Sequence, residues 1–357
     1  MRFHPSPLKG RGTSENPHNR FEALSYIRDS EYQEYEEDLP SVHTTVFSDP
    51  SRSILSRNIS PDIGFNVSVN PYRGCEHGCV YCYARPTHEW LGFSAGLDFE
   101  TRLLAKQDAP QLLAKALTSP SYQPEPLVMS GITDPYQPIE RQLHVTRDCL
   151  AVLADFRHPV AIITKNILVV RDCDLLHQLA EFRASAVFIS ITTLDSELAQ
   201  RLEPRASTPT RRLAAIRSLA ESNIPVGVMT APIIPGLNDH EIPAILDAAA
   251  QAGAQSAGYT IVRLPQAVSE LFSQWLEDHY PERKKKVLNN ICAIRGGDLN
   301  DARWHSRMCG AGIQAEAIHN LFRLGCRKAG LSAPASKLST DAFRRPDRTG
   351  QLALFHV

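Results

Sequence analysis

The sequence predicts an α/β fold, a partial (β/α)6 barrel of parallel strands with an irregular N-terminal arm and a helical C-terminal extension. Two observations carry this prediction. Between residues 61 and 265, short apolar runs alternate about six times with amphipathic stretches, as in parallel sheets with helices outside. This region contains no GxGxxG fingerprint, so a partial barrel is favoured over a dinucleotide-binding sheet.

The strand candidates are short runs rich in Val, Ile and Thr. They are residues 64–69, 127–130, 160–164, 187–192, 226–230 and 256–262. Helical periodicity covers residues 109–117, 145–156, 173–182, 209–222, 240–252, 267–279, 281–293 and 311–329. Parallel strands end at one edge of their sheet, so functional groups are expected where strands end and helices begin.

The chain divides into four predicted parts: an irregular arm (1–60), the barrel (61–265), a helical extension (266–330) and a flexible tail (331–357) that ends in an apolar peptide. Its 357 residues are 43% hydrophobic and 22% charged, which excludes a disordered, collagen-like or coiled-coil chain. No apolar run reaches the roughly 18 residues of a membrane span, and the N-terminus lacks an apolar signal region. We therefore expect a cytoplasmic protein.

Charge is balanced overall but uneven along the chain. Lys plus Arg total 38 against 39 acids, for a net charge of −1. Residues 281–348 nevertheless carry fourteen bases and six acids. This basic part leaves room for an anionic partner, although a solvated surface explains it equally well.

The most informative stretch is a loop with three of the eight cysteines, Cys75, Cys79 and Cys82, spaced C-x3-C-x2-C. Three thiolates on one tight loop can hold three corners of a [4Fe–4S] cluster and leave the fourth iron open. Zinc is an alternative, with His77 as a fourth ligand in a strained loop. A thioredoxin-like C-x-x-C site would leave Cys75 unexplained.

The loop, with Tyr81 before its last cysteine, resembles the signature of the radical S-adenosylmethionine (SAM) superfamily. The run 79–83, Cys-Val-Tyr-Cys-Tyr, is similar to the spore photoproduct lyase branch, and the resemblance extends over residues 60–265. It includes Ile-Thr-Asp at 132–134, Ile-Thr-Lys at 163–165, Ile-Ser-Ile at 189–191, Leu-Glu-Pro at 202–204 and Thr-Ala-Pro-Ile at 230–233. The runs 73–79 and 83–89, Arg-Gly-Cys-Glu-His-Gly-Cys and Tyr-Ala-Arg-Pro-Thr-His-Glu, resemble an uncharacterised subgroup of that branch.

This resemblance implies an enzyme that binds a [4Fe–4S] cluster through the three cysteines, reductively cleaves SAM and releases a 5′-deoxyadenosyl radical. It implies an electron donor of flavodoxin or ferredoxin type. The implied SAM contacts are Tyr81, Ser130, Gly131, Thr133, Lys165 and Ser190. Among these, a hydroxyl at Thr133 suits the amino group of SAM, and the charge of Lys165 suits its carboxylate. Glu203 and Arg205 either reach the site or bridge neighbouring helices.

One position departs from the branch. Spore photoproduct lyase has a hydrogen-donating cysteine at the position of Gly131. The resemblance therefore implies the formation of the radical from SAM, but it does not imply the thymine-dimer repair reaction of spore photoproduct lyase. DNA or another nucleic acid is the first expected substrate class, and a protein or small metabolite is the second. The third possibility is a non-enzymatic iron–sulfur or zinc module.

Two further features are predicted outside the barrel. Cys292, Cys309 and Cys326 are separated by sixteen residues each, which leaves a second cluster open without close ligand spacing. At the C-terminus, a peptide with Gln351, Leu352, Leu354 and Phe355 resembles the motif by which bacterial repair and replication proteins dock on the polymerase sliding clamp. Its apolar side chains fit a docking peptide on a flexible tether.

Overall fold

The structure, a computed structural model, describes residues 8–22, 42–129 and 131–346. Its strands are β1 (Thr45–Ser48), β2 (Leu55–Arg57), β3 (Val67–Val69), β4 (Tyr72–Arg73), β5 (Arg102–Ala105), β6 (Leu127–Met129), β7 (Val160–Thr164), β8 (Ser185–Ser190), β9 (Val226–Ile233) and β10 (Ser256–Ile261). Its helices are α1 (Asp98–Thr101), α2 (Ala109–Thr118), α3 (Glu140–Leu143), α4 (Val145–Phe156), α5 (Cys173–Ala180), α6 (Ser196–Leu202), α7 (Pro209–Glu221), α8 (Ile242–Gln251), α9 (Ala267–His279), α10 (Pro281–Ile294), α11 (Ser306–Cys309) and α12 (Ile313–Ala329). Short 3-10 helices cover Arg85–Leu91, Ile167–Asp172 and Asp239–Glu241.

The predicted partial barrel is confirmed by a seven-stranded sheet in the order β10-β9-β8-β7-β6-β3-β2. Strands β3 and β6 to β10 are parallel neighbours, and β2 runs antiparallel to β3 at one edge. Each parallel step crosses over through helices, so all six strands end at the same edge of the sheet. That edge carries the predicted site.

The core lies between this sheet and its outer helices. In β8 all but one side chain is buried, as parallel strands covered on both faces require. In α7, Pro209 occupies the first turn, and Ala215, Ile216 and Leu219 bury one face at helical spacing. Burying each Leu or Ile side chain stabilises the fold by roughly 1.5–3 kcal/mol. No helix among the described residues has the length and hydropathy that a bilayer crossing needs.

The arm that the sequence predicts as irregular contains two strands. β1 pairs in parallel with β5, and β4 completes this small second sheet. β2 pairs with β3 and extends the barrel sheet. These strands have two to four residues, too few for the alternation of a strand to be visible in the sequence.

Residues 331–346, which we name the strap, are packed against the barrel, although their composition predicts a flexible tail. The backbone N–H of Ser339 donates to Arg183 O at 2.9 Å, and that of Arg344 donates to Phe156 O at 3.0 Å. The ring of Phe343 packs against Phe156 and against other rings at the N-terminal ends of the strands. The strap therefore covers the barrel end at which the strands begin. The proposed clamp peptide, residues 351–357, lies outside the described residues.

The two edges of the partial barrel are joined by side chains. Asp62, between β2 and β3, accepts from His305 N at 2.6 Å and from Arg307 Nε at 2.6 Å. Arg295 donates to Arg307 O and to Ile261 O at the end of β10. We name the contact of Asp62 with His305 and Arg307 the edge bridge. It spans the gap that an open barrel leaves between β2 and β10.

Candidate active site

The three-cysteine loop follows β4 and is enclosed by the protein. Cys75 and Cys79 are buried, and Cys82 is half-buried. Burial raises the pKa of all three thiols, and for Cys75 the neighbouring Cys79 and Cys82 raise it further. All three are free thiols. The structure thus gathers three free thiols on one loop, two of them buried and one half-buried.

Backbone contacts fix the shape of this loop. Gly74 and Gly78 have φ of 77° and 67°, and a Cβ on Gly74 would lie 2.8 Å from Leu103 Cδ2. Gln137, which is fully buried, donates to Gly74 O at 3.2 Å and accepts from Glu76 N at 2.9 Å. Glycine is therefore required at position 74, and a single amide side chain braces both ends of the turn.

His77 does not face the thiols as a metal ligand in this arrangement. Its Nδ1 lies 3.3 Å from Asp134 Oδ2, and its Nε2 lies 3.1 Å from Asn166 Nδ2. Asp134 also accepts from Thr164 Oγ1 and Lys165 N, so these contacts lower its pKa. Among residues 8–22, 42–129 and 131–346, no group of three or more His, Cys, Asp or Glu could hold a single metal ion. His77 ties the loop to the ends of β6 and β7.

A buried charged network lies beside Cys79. Glu203, fully enclosed, accepts from Arg212 and Tyr81, and its carboxylate lies 3.1 Å from Lys165 Nζ. The two cations and these hydrogen bonds hold the pKa of Glu203 well below its usual range, against the effect of burial. Thr192 donates to the same carboxylate at 2.5 Å. Charge compensation makes this buried carboxylate possible.

Tyr81 and Lys165 meet in that network, which unites two of the predicted SAM contacts. Lys165 Nζ lies 5.8 Å from the centroid of the Tyr81 ring. Ser190 is linked to it indirectly, because Arg212 donates to Ser190 O at 3.0 Å. Of the two residues left open, Glu203 therefore lies within this group. Arg205 instead pairs with Glu76 at 3.1 Å.

The other predicted contacts lie after β6. Thr133 is buried, and its hydroxyl donates to Tyr72 O at 2.9 Å. Gly131 N donates to Asn70 Oδ1 at 2.9 Å, and Gly131 O accepts from Tyr83 Oη at 2.8 Å. Ser130 lies outside the described residues. The predicted SAM contacts thus lie in two groups, one around Glu203 and one around Gly131.

Sequence reasoning missed several residues of this site. Thr192 and Arg212 lie in stretches predicted only as strand and helix, and Asn70 lies at the start of the cysteine loop. Each is a polar residue near the end of a predicted element or at the start of the cysteine loop, and this position is the signal that could have found them. All three are buried in the structure. Gln137 carries the same signal, three residues after Asp134.

Known proteins resemble this chain over more than half of its length. Uncharacterized protein Rv2578c of Mycobacterium tuberculosis is 34% identical over 220 residues, which cover 61% of this chain and 65% of that protein. Uncharacterized protein MJ0683 of Methanocaldococcus jannaschii is 29% identical over 233 residues, covering 65% and 83%. The chain thus spans slightly less than two thirds of the length of its mycobacterial relative.

Solved structures resemble the same fold. A spore photoproduct lyase complexed with dinucleoside spore photoproduct superposes with a TM-score of 0.55 and 15% identity, covering 79% of this chain and 78% of that chain. A single-residue variant of spore photoproduct lyase gives a TM-score of 0.53 and covers 82% of each chain. At this identity the likeness shows the fold alone.

The residues present fit an iron–sulfur cluster: three free thiols, two buried and one half-buried, lie on one loop that contains two glycines with positive φ. Cysteine thiolates are the usual ligands of such clusters. The sequence model of the Radical SAM superfamily matches residues 69–249, which begin just before this loop and end in α8. The cysteine loop and the parallel strands β6 to β9 lie within the matched range. The chain therefore belongs to the radical SAM superfamily.

Proposed function

We propose that this radical SAM enzyme acts on DNA or another nucleic acid, in a reaction similar to that of spore photoproduct lyase. In this proposal Cys75, Cys79 and Cys82 hold the [4Fe–4S] cluster. Tyr81, Gly131, Thr133, Lys165 and Ser190 line the place of SAM, together with Ser130. The cluster and SAM, when bound there, would supply a 5′-deoxyadenosyl radical.

Enclosure of the loop supports the radical half of the proposal. Val80 and Tyr81 pack in an apolar cluster with Leu202, Phe272 and Trp275 from α6 and α9. Apolar walls exclude water, which would otherwise quench a reactive intermediate. The chain's own contribution is thus to bind, orient and shield, while the cofactor carries the chemistry.

The surface around the edge bridge supports the nucleic-acid half. The Tyr83 ring, 47% exposed, lies 4.5 Å from the guanidinium carbon of Arg263. Trp304, 56% exposed, adjoins His305 of the edge bridge, and Arg263 is close enough to Arg307 for their charges to interact. We name Tyr83, Arg263, Trp304, His305 and Arg307 the rim. Exposed rings next to guanidinium groups are the chemistry that single-stranded nucleic acids recognise.

A second basic surface lies on α10. Residues 283–286 of α10 read Arg-Lys-Lys-Lys and are mostly exposed. The next residue, Val287, is buried in the apolar cluster that contains Val80 and Tyr81. The basic side chains therefore lie on the exposed side of a helix whose buried side belongs to this apolar cluster. Phosphate contacts at such a run would position a polyanionic substrate.

The proposed reaction differs from that of spore photoproduct lyase in its final step. Gly131 stands where that enzyme has its hydrogen-donating cysteine, so a different group must supply hydrogen to the product radical. We therefore propose a lyase-like reaction whose substrate is a nucleic acid but whose product need not be a repaired thymine pair. Radical modification of a protein or a small metabolite is the alternative.

The test is anaerobic incubation of the reconstituted protein with SAM, dithionite and ultraviolet-irradiated single-stranded or duplex DNA. Mass spectrometry should detect 5′-deoxyadenosine and a changed nucleoside, and Cys79→Ala should produce neither. Cleavage of SAM without a change in any of the nucleic acids would favour the protein or metabolite alternative. Absence of any cleavage would favour a non-enzymatic module.

A second proposal concerns the partner of the C-terminal peptide. Residues 351–355, Gln-Leu-Ala-Leu-Phe, would dock on the polymerase sliding clamp through Leu354 and Phe355, with Gln351 and Leu352 beside them. A synthetic peptide of residues 347–357 should bind purified clamp with roughly micromolar affinity. The double variant Leu354→Ala/Phe355→Ala is the control. No binding by the native peptide at high micromolar concentration would contradict this proposal.

A further inference from the structure

Arg85 lies fully buried behind the cysteine loop, at the start of the 3-10 helix Arg85–Leu91. Its Nε donates to Cys79 O at 2.9 Å, and its Nη2 donates to Gly78 O at 3.1 Å. Its Nη1 donates to the carbonyl oxygens of Ala95 and Gly96 at 3.2 and 2.9 Å. Two of its four carbonyl partners therefore belong to the loop that carries the thiols.

Glu100 holds the guanidinium in this place. Its Oε1 lies 2.6 Å from Arg85 Nη2, and both side chains are completely buried. The N-terminal segment completes the group, because Gly12 N and Thr13 Oγ1 donate to the same carboxylate at 3.0 and 3.2 Å. A Cβ on Gly12 would lie only 1.7 Å from Gly78 O, so a residue larger than glycine could not make this approach.

The peptide between Gly78 and Cys79 is oriented by these contacts. In a trans peptide the C=O and the N–H point in opposite directions. Since Gly78 O points at Arg85, the N–H of Cys79 points away from Arg85. In the described part of the chain this N–H has no protein acceptor. An N–H left free beside a cluster ligand is available to a sulfide, and such bonds are one determinant of cluster potentials.

We propose that Arg85 is a positioning residue that sets the reduction potential of the [4Fe–4S] cluster. It does so by turning the Gly78–Cys79 peptide so that its N–H remains for a cluster sulfide, and Glu100 balances its charge. The inference rests on the proposed function only for the presence of the cluster and is independent of the substrate. It also gives a role to Arg85 within the run Tyr-Ala-Arg-Pro-Thr-His-Glu.

The experiment compares Arg85→Lys with Arg295→Lys after anaerobic reconstitution. Arg295 is a matched control, because it is also buried and donates to backbone carbonyls, including Val262 O, but not to the cysteine loop. The readouts are iron per chain and the midpoint potential, measured by a redox titration followed with electron paramagnetic resonance. Lysine keeps the charge but cannot reach both carbonyls, so Arg85→Lys should lower the potential. Arg295→Lys should leave it unchanged.

Glu100→Gln tests the charge balance separately from the orientation of the peptide. It removes a buried negative charge while Arg85 stays, so the potential should rise, opposite to the effect of Arg85→Lys. Equal potentials in all variants, or shifts of one sign, would overturn the inference. If Arg85→Lys does not fold, Glu100→Gln still tests the charge balance, and an unchanged potential in that variant would overturn the inference. Failure of the wild type to hold iron would contradict the proposed function instead.

Discussion

Lys165 and Glu203 form an ion pair of 3.1 Å beside the cysteine loop. Lys165 Nζ also donates to Thr192 Oγ1 at 3.0 Å and to Ala231 O at 2.8 Å. An ammonium group has three N–H donors, and here each has a protein acceptor. The sequence predicts Lys165 as the partner of the SAM carboxylate, so SAM would have to share or replace one of these acceptors.

Lys165→Ala should weaken SAM binding without removing iron. Loss of a charge-assisted contact costs about 1.5–3 kcal/mol, or roughly 10- to 150-fold in Kd. Equilibrium binding of SAM to the reconstituted protein, with iron analysis, measures both. Lys106→Ala is the control, because Lys106 is buried but faces Asp49 and Arg73. An unchanged Kd for Lys165→Ala would leave Lys165 as a partner of Glu203 alone.

Glu203→Gln should destabilise the fold. It leaves the buried guanidinium of Arg212 without its counter-charge, which typically costs about 3–5 kcal/mol. Urea unfolding of the protein without cluster gives the free energy of unfolding. Glu197→Gln breaks an exposed pair with Arg201 on α6 and should cost below about 0.5 kcal/mol. Similar small losses for both variants would argue against a stabilising role of the network.

Each of Cys75→Ala, Cys79→Ala and Cys82→Ala should abolish cluster absorbance and 5′-deoxyadenosine formation. A three-thiolate site that loses one ligand no longer holds the cluster. Cys149→Ala removes a buried thiol of the hydrophobic core and should keep the iron. Iron and sulfide analysis after reconstitution measures the cluster content of each variant. Full iron content in all three loop variants would contradict the assignment.

Trp304→Ala should weaken binding of single-stranded DNA, whereas Trp90→Ala should not. Both rings are exposed, by 56% and 72%, but only Trp304 adjoins the edge bridge. A stacked base contributes about 1–3 kcal/mol. Fluorescence anisotropy of a labelled single-stranded DNA measures both affinities, because this signal does not depend on the tryptophan that is replaced. Equal affinities of the two alanine variants would remove the rim from the proposal, while DNA binding itself would still support the substrate class.

Acid should destabilise the fold between about pH 6.5 and pH 4. Burial lowers the pKa of both His88 and His158 to about 4. In the unfolded chain their pKa is about 6.5, so the unfolded state binds more protons in this window and stability falls as pH falls. Each histidine contributes roughly 3 kcal/mol at most.

The measurement is the free energy of unfolding against pH. His158→Gln should flatten the slope in that window, and substitution of the exposed His240 should not. His158 accepts or donates at 2.7 Å to Tyr122 Oη, so the variant is expected to be less stable at neutral pH. A slope identical to that of the wild type would show that His158 does not titrate on unfolding.

The long elements could be predicted because their period is visible in sequence. β7 and α4 have the predicted bounds, and α9 does as well. β1, β2 and β5 could not be predicted, because pairs such as Thr45 with Arg102 join residues far apart in sequence. Short strands gain their stability from distant partners, which a local pattern does not contain.

The site shows the same limit. Spacing alone brings out Cys75, Cys79 and Cys82, because ligand loops are local. The partners of Glu203 come from the residues that follow β7 and β8, from α7 and from the loop itself, and only folding brings Arg212 beside it. Arg85 stands six residues from Cys79, yet its carbonyl contacts depend on a loop reversal that sequence does not display. The predicted SAM contacts remain predictions.

The strap determines from which side the chain can be tethered. It passes under the starts of β10 and β9 near residues 333–336 and reaches Tyr122 O, before β6, through Arg345 at 2.9 Å. The cysteine loop lies among residues at the opposite strand ends. Residues 347–351 span at most ~18 Å, so a partner captured by residues 351–357 would be held behind the barrel. Recruitment and radical chemistry would then occupy opposite poles of the enzyme, and neither would obstruct the other.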